Sequence, residues 1–181
     1  KPRVAIVDYG VGNLFSVAQS CNHAGLEPLV TSDVRVIESA DAVILPGVGA
    51  FGFAMSRLNA LGLVPALLNT AHSGRPLMGI CLGFQLLFDL SEEMGESKGL
   101  GLISGTVRPL ASAISSTAQT VRIPNISWLP ITMPRHLDNQ TGWDSGLLQG
   151  VPNGSSMYFV HSYFANANNS DSVLAETSYY G

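Results

Sequence analysis

Cys81 stands between two glycines, in the segment Met78-Gly79-Ile80-Cys81-Leu82-Gly83-Phe84-Gln85. The apolar run Pro76 to Ile80 precedes it, and the apolar pattern Leu82, Leu86, Leu87 follows. Glycine two residues before and two residues after a nucleophile marks a strand-to-helix elbow, a turn so tight that neither flank has room for a side chain. Such an elbow turns a cysteine sulfur into the open crevice at the top of a sheet. It also places the sulfur at a helix amino terminus, where free N–H groups and the helix dipole favour the thiolate over the thiol. The same N–H groups, led by that of Leu82, can receive the negative oxygen formed when a thiolate attacks a carbonyl carbon. The chemistry indicated is nucleophilic attack by sulfur, with acyl transfer as one form of it. The competing reading is a small buried cysteine, and the flanking glycines and the strand end weigh against it.

An elbow needs a sheet, and the first half of the chain supplies the pattern of one. Val4 to Val7 is a short apolar run that stops at Asp8-Tyr9-Gly10, as a buried parallel strand does. Leu14, Val17, Ala18 and Cys21 recur at helical spacing up to a stop at Gly25, which makes Cys21 a core residue. Leu29-Val30 and Ala42 to Leu45 read as further strands, the latter ending in Pro46-Gly47-Val48-Gly49; Phe51 to Ala60 and Leu63 to Ala71 read as helices. Alternating strand and helix predicts an α/β fold: an open, mostly parallel sheet with helices on both faces and ligands beyond the carboxyl ends of the strands. Function is expected on the loops after Val7, Leu45 and Ile80. In the second half Val107, Val121 to Ile123, Met157 to Val160 and Val173 to Ala175 are short strand candidates between Ser, Asn, Pro and Gly, an antiparallel extension. Ala111 to Gln119, small and polar, reads as a mobile loop. The 181 residues are expected to form one domain.

Composition narrows the partners. Apolar residues make up 46% and charged residues only 12%, against about a quarter charged in ordinary soluble domains. Either a face covered by a partner subunit or a domain rich in buried strands accounts for this. A net charge of −4 offers no footprint for nucleic acid. Pro46, Gly47, Gly49, Gly52, Gly62 and Pro65 break the most hydrophobic stretch well short of a bilayer span, so no membrane is expected. The opening residues lack a signal-peptide layout, and the two cysteines suggest neither a disulfide nor a metal site. A reducing cytoplasm is the expected setting, with no metal and no organic cofactor.

Four segments, taken together and in order, carry a family resemblance: Asp8-Tyr9-Gly10-Val11-Gly12-Asn13-Leu14, Leu45-Pro46-Gly47-Val48-Gly49-Ala50-Phe51, Gly79-Ile80-Cys81-Leu82-Gly83-Phe84-Gln85 and Tyr158-Phe159-Val160-His161-Ser162-Tyr163. Over nearly its whole length the chain resembles the class I (triad) glutamine amidotransferases, whose core is flavodoxin-like, in the form found in glutaminase subunits of the imidazole glycerol phosphate synthase type. The resemblance implies hydrolysis of glutamine through a Cys81 thioester and delivery of ammonia to a barrel-shaped synthase (cyclase) subunit in a heterodimer, for histidine biosynthesis. It implies an oxyanion hole from the backbone of Gly47, Val48 and Gly49 and the N–H of Leu82. It implies glutamine contacts at Gly49, Gln85, Ser162 and Tyr163, and partner contacts at Asn13, Trp128 and Tyr158.

Two departures stand out. The family's catalytic His-Pro-Glu motif follows the counterpart of Ala175 to Gly181, so a longer natural chain is expected and His161 is not expected to be the base. The family usually shows glycine before and asparagine after the tryptophan where this chain has Ser127 and Leu129. Trp128 suits a partner face or a core equally. The departures keep two alternatives open: a related glutaminase serving nucleotide-sugar amidation in surface polysaccharide synthesis, and a noncatalytic scaffold that retains the fold. Flavodoxin-like folds with a cysteine elbow also include chaperone-like and peptidase-like proteins.

Overall fold

A computed structural model of the chain describes residues 1–114, 121–137, 143 and 146–180. The chain divides into two compact units, Lys1–Val107 and Arg108–Gly181.

The first unit opens with β1 (Arg3–Val7), α1 (Leu14–His23), β2 (Glu27–Thr31), α2 (Val34–Ser39), β3 (Ala42–Gly47), α3 (Phe51–Ala60), α4 (Val64–His72) and β4 (Leu77–Cys81). The strands form a sheet in the order β2-β1-β3-β4, and each neighbouring pair is parallel. Val4 to Val7 are all buried, at 3% exposure or less. Side chains alternate across a strand, so burial of four in succession means that both faces are covered. On one face Val4, Ile6 and Ile44 pack with Cys21 of α1, flanked by Leu14, Val17 and Ala18. Cys21 is therefore core, as its spacing predicts.

Local chemistry starts these helices. The Asn13 Oδ1 accepts from the Ser16 N–H at 3.1 Å to cap α1, and the Asp33 Oδ1 accepts from the Arg35 N–H at 2.8 Å to cap α2. Pro65 in the first turn of α4 costs no hydrogen bond there. After β4 come α5 (Leu82–Gln85), β5 (Phe88–Ser91), β6 (Ser97–Lys98) and β7 (Ile103–Pro109), the last crossing the boundary between the units. β5 lies antiparallel to β6 and parallel to β7. The helix expected to run through Leu86 and Leu87 ends at Gln85, after a single turn.

The second unit contains β8 (Asn125–Pro130), β9 (Ser156–His161) and β10 (Tyr163–Ala167). β8 and β9 pair antiparallel, with Ile126 opposite Val160 and Trp128 opposite Tyr158, as the antiparallel reading of the second half predicts. Ile131, Met133 and Trp143 form its buried centre, and the Trp143 Nε1 donates to the Leu174 carbonyl at 2.8 Å. Two strand expectations fail. Residues 121–123 precede the strand, because the Pro124 nitrogen carries no hydrogen for a ladder and pairing begins only at Asn125. Val173 to Ala175 makes no strand; the neighbouring Glu176 forms only an isolated bridge to Thr132. The expected loop Ala111 to Gln119 opens with a short 3-10 turn at Leu110–Ser112, and its residues 115–119 lie outside the described residues.

Candidate active site

Cys81 ends β4 and forms the N-cap of α5, with φ 55 and ψ −118. This backbone region is sparsely populated by residues with a side chain, and occupying it costs about 1–3 kcal/mol. Strain of this kind at an exposed thiol is the backbone signature of an elbow. The two flanking glycines are required by close approach. A Cβ on Gly79 would run into the backbone of Phe84, and one on Gly83 would run into the carbonyl oxygen of Leu45 in β3. The elbow thus presses its helix onto the neighbouring strand, and Leu82 is buried in that contact at 3% exposure. With only four residues, α5 offers its first N–H groups rather than a long dipole. Gln85 is half-buried at its end.

The Gly-Val-Gly turn lies beside the sulfur. In the β3–β4 register Gly47 is the partner of Cys81, so the chain leaves β3 next to the nucleophile. Val48 is 54% exposed, and Gly49 has φ 96, open to glycine but strained for other residues. Among the described residues the Val48 and Gly49 N–H groups have no acceptor. Both ends of the turn are tied down. The Tyr9 hydroxyl donates to the Pro46 carbonyl at 2.7 Å, and the Phe51 N–H donates to the Glu93 Oε2 at 2.6 Å. Glu93 thereby caps α3, whose own N-cap residue, Ala50, offers no side-chain oxygen. Sequence reasoning missed Tyr9 and Glu93, which sit 37 and 42 residues from the groups they bind.

Tyr9 is fully buried. Burial, and then the negative charge of Cys81, push its ionisation well above the ordinary tyrosine range. Folded Tyr9 holds its proton more tightly than the unfolded chain does, so its contribution to stability is complete below pH 10.0 and is lost as the pH rises from there toward the folded value. Melting temperatures recorded from about pH 9 to about pH 11.5 should fall less steeply for Tyr9→Phe than for the unaltered protein. Parallel slopes would contradict this assignment.

In the second unit the predicted residues divide by face. Trp128 and Tyr158 are exposed, at 68% and 56%, with ring centroids 5.4 Å apart. Ile126 and Val160, at 59% and 48% exposed, extend the same apolar face of the β8–β9 pair. The core tryptophan is Trp143, so Trp128 is available for a partner. The opposite face carries a polar chain: the Ser127 hydroxyl donates to the Asn125 Oδ1, the Asn125 amide meets His161 Nε2 at 3.0 Å, and His161 Nδ1 meets the Tyr163 carbonyl at 2.9 Å. A carbonyl only accepts, so Nδ1 carries the proton and Nε2 accepts from the amide. Both nitrogens of His161 are committed, in accord with its not serving as the base. Ser127, which departs from the family pattern, is absorbed by this chain. The Ser162 carbonyl accepts from the Leu110 N–H at 2.9 Å. Asn13 spends its side-chain oxygen on capping α1. Among the described residues no group of His, Cys, Asp and Glu could hold a metal ion, and no single helix is long and apolar enough to cross a membrane.

The family model for class-I glutamine amidotransferases matches residues 5–180. The chain belongs to that family. It is 42% identical over 176 residues to imidazole glycerol phosphate synthase subunit HisH of Moorella thermoacetica, covering 97% of this chain and 77% of that protein. It is 40% identical over 178 residues to the same-named subunit of Aquifex aeolicus, covering 98% of this chain and 79% of the relative. Among solved structures, one titled as a glutamine amidotransferase superposes with TM-score 0.64 at 16% identity, over 95% of this chain and 78% of that one. PurLQS from Thermotoga maritima gives TM-score 0.64 at 19% identity, over 98% and 74%. At these identities the two structures speak to the fold alone. For this class-I amidotransferase chain, the elbow and the turn beside it acquire a common purpose.

Proposed function

We propose that this chain is the glutaminase subunit of an imidazole glycerol phosphate synthase, supplying ammonia for histidine biosynthesis. One observation carries the catalytic reading: an exposed cysteine held at φ 55 and in register with a Gly-Val-Gly turn whose free N–H groups have no acceptor among the described residues. The sulfur of Cys81 attacks the side-chain amide carbon of glutamine. The carbonyl oxygen gains the negative charge, and N–H groups from the Gly47–Gly49 turn and from Leu82 receive it. Collapse of this intermediate breaks the carbon–nitrogen bond and releases ammonia once the nitrogen is protonated. Water then cleaves the thioester to glutamate and the free thiol. Proton transfer belongs to the family's His-Pro-Glu motif. Gln85, Gly49 and the backbone of Ser162 and Tyr163 hold the substrate, and the His161–Asn125 chain fixes the Tyr163 carbonyl in place.

Ammonia passes to a barrel-shaped synthase subunit. The exposed face of Trp128, Tyr158, Ile126 and Val160 fits the docking role, since aromatic anchors dominate interfaces, and Asn13 is a further partner contact in this reading. Trp128→Ala should weaken synthase binding by about 2 kcal/mol, a loss typical of a central aromatic anchor. Titration calorimetry against the synthase checks it, and an unchanged dissociation constant would remove Trp128 from the interface.

The function itself is tested by glutamate release from glutamine by the full-length chain, alone and with its cognate synthase. Release that rises when the synthase is added supports the reading. No release in either condition would sink it.

A further inference from the structure

The oxyanion turn has three peptide units, 46–47, 47–48 and 48–49, and they are held very differently. The Val48 and Gly49 N–H groups have no acceptor among the described residues, so no N–H bond ties the second and third units to the fold. The first is tied twice, because Gly47 is also the last ladder residue of β3, paired with Cys81. The buried Tyr9 hydroxyl donates to the Pro46 carbonyl at 2.7 Å, and a peptide unit is planar, so fixing its carbonyl fixes the Gly47 N–H on its other side. The same hydroxyl lies against the Cα of Gly47, where a Cβ would come within 2.6 Å of it. Tyr9 is itself immobilised: its ring is fully buried, and its carbonyl accepts from Arg57 Nε at 3.1 Å. Gly47 is the register partner of Cys81, so the point that Tyr9 pins is the point where the turn meets the nucleophile.

We propose that the Tyr9 hydroxyl is a positioning residue for the oxyanion turn, a fixed pivot that confines reorientation to the 47–48 and 48–49 peptide units and holds them in register with Cys81. The inference rests on the glutaminase reading above. Tyr9 is not a proton donor in the reaction, because its one proton is committed to the Pro46 carbonyl. The charge of Cys81 adds to the burial that raises its ionisation, which agrees with a hydroxyl close to the sulfur yet serving another group. Removing the hydroxyl leaves the ring in place and takes away the anchor on the Pro46 carbonyl, so that only the ladder pairing of Gly47 with Cys81 holds the Pro46–Gly47 unit. The oxyanion donors are then held less tightly at the start of the turn, while the thiol and its elbow stay as they are.

The test compares Tyr9→Phe with the unaltered full-length chain, each in complex with the cognate synthase, by glutamine kinetics and by alkylation of Cys81 with iodoacetamide. Iodoacetamide reacts at the sulfur without forming an oxyanion, so it reports the thiol alone. The expected result is a kcat lower by about tenfold or more, part of what loss of an oxyanion donor costs, with KM for glutamine and the alkylation rate each within about twofold. A purely structural role would lower the melting temperature without this split. A kcat within twofold of the unaltered chain would overturn the inference while leaving the glutaminase reading standing. So would an alkylation rate that falls in step with kcat, because the hydroxyl would then act on Cys81 itself. An unaltered complex that releases no glutamate would end both.

Discussion

Cys81→Ala, in the full-length chain paired with its synthase, is expected to lower glutamine hydrolysis by about 10⁴-fold or more, the scale of losing a nucleophile that works as a unit with its neighbours. Synthesis from added free ammonia should continue, because that reaction bypasses the thioester. The fold should survive, since the thiol is exposed and alanine keeps the Cβ. A companion substitution separates chemistry from strain. Cys81 occupies φ 55 with a side chain, a conformation that glycine adopts freely. Cys81→Gly should therefore be equally inactive yet more stable, by about 1 kcal/mol or a little more, which is a rise of about 2–4 °C in melting temperature for a chain of this size. Equal or lower stability for the glycine variant would mean that the elbow stores no strain.

Gly83→Ala carries the second large effect. Its Cβ would collide with the carbonyl oxygen of Leu45, and a Cβ on Gly47 would come within 2.9 Å of the Gly83 nitrogen, so strand and elbow touch backbone to backbone. Side chains can rotate away from an intruding methyl group, but a strand inside a four-stranded parallel sheet cannot. Overpacking usually costs about 1–3 kcal/mol, and a backbone collision belongs at the top of that range or above it. The melting temperature should drop by about 10 °C. Activity should fall further than stability explains, by about 10²-fold at a temperature where the variant is folded, because α5 moves off β3 and takes the Leu82 N–H with it. A fully active Gly83→Ala would show that the elbow is looser than its geometry here. Circular dichroism and glutamate release on the same sample read both quantities.

What could be read from the sequence was what depends on near neighbours. The elbow is written in three residues, Gly79, Cys81 and Gly83, and the glycines at both flanks are required by contacts that the pattern implies. The first-half strands followed from apolar runs with glycine or aspartate at their ends. α2 escaped because its six residues are too few to show a period, and β10, reading Tyr-Phe-Ala-Asn-Ala, has alanine and asparagine where strand formers would signal. Pro124 displaced the second-half strand toward Asn125. The supports of the site escaped for a different reason. Tyr9 and Glu93 act on groups about 40 residues away, and nothing local marks either as more than a tyrosine after a strand and a surface glutamate. The commitment of both His161 nitrogens likewise needs Asn125, 36 residues earlier. Trp128 suited core and surface alike, and only the burial of Trp143 and the exposure of Trp128 separated the two tryptophans.

The central claim is that Cys81 is the nucleophile that takes the acyl group of glutamine, and mass spectrometry after reaction with a glutamine-directed diazoketone tests it most directly. The complex of the full-length chain with its synthase should take up one adduct, on the peptide carrying Cys81, with glutamine protecting against it. Cys21, buried in the sheet core at 5% exposure, serves as the internal control and should stay unmodified. An enzyme that hydrolyses glutamine yet carries the adduct on another residue would contradict the account.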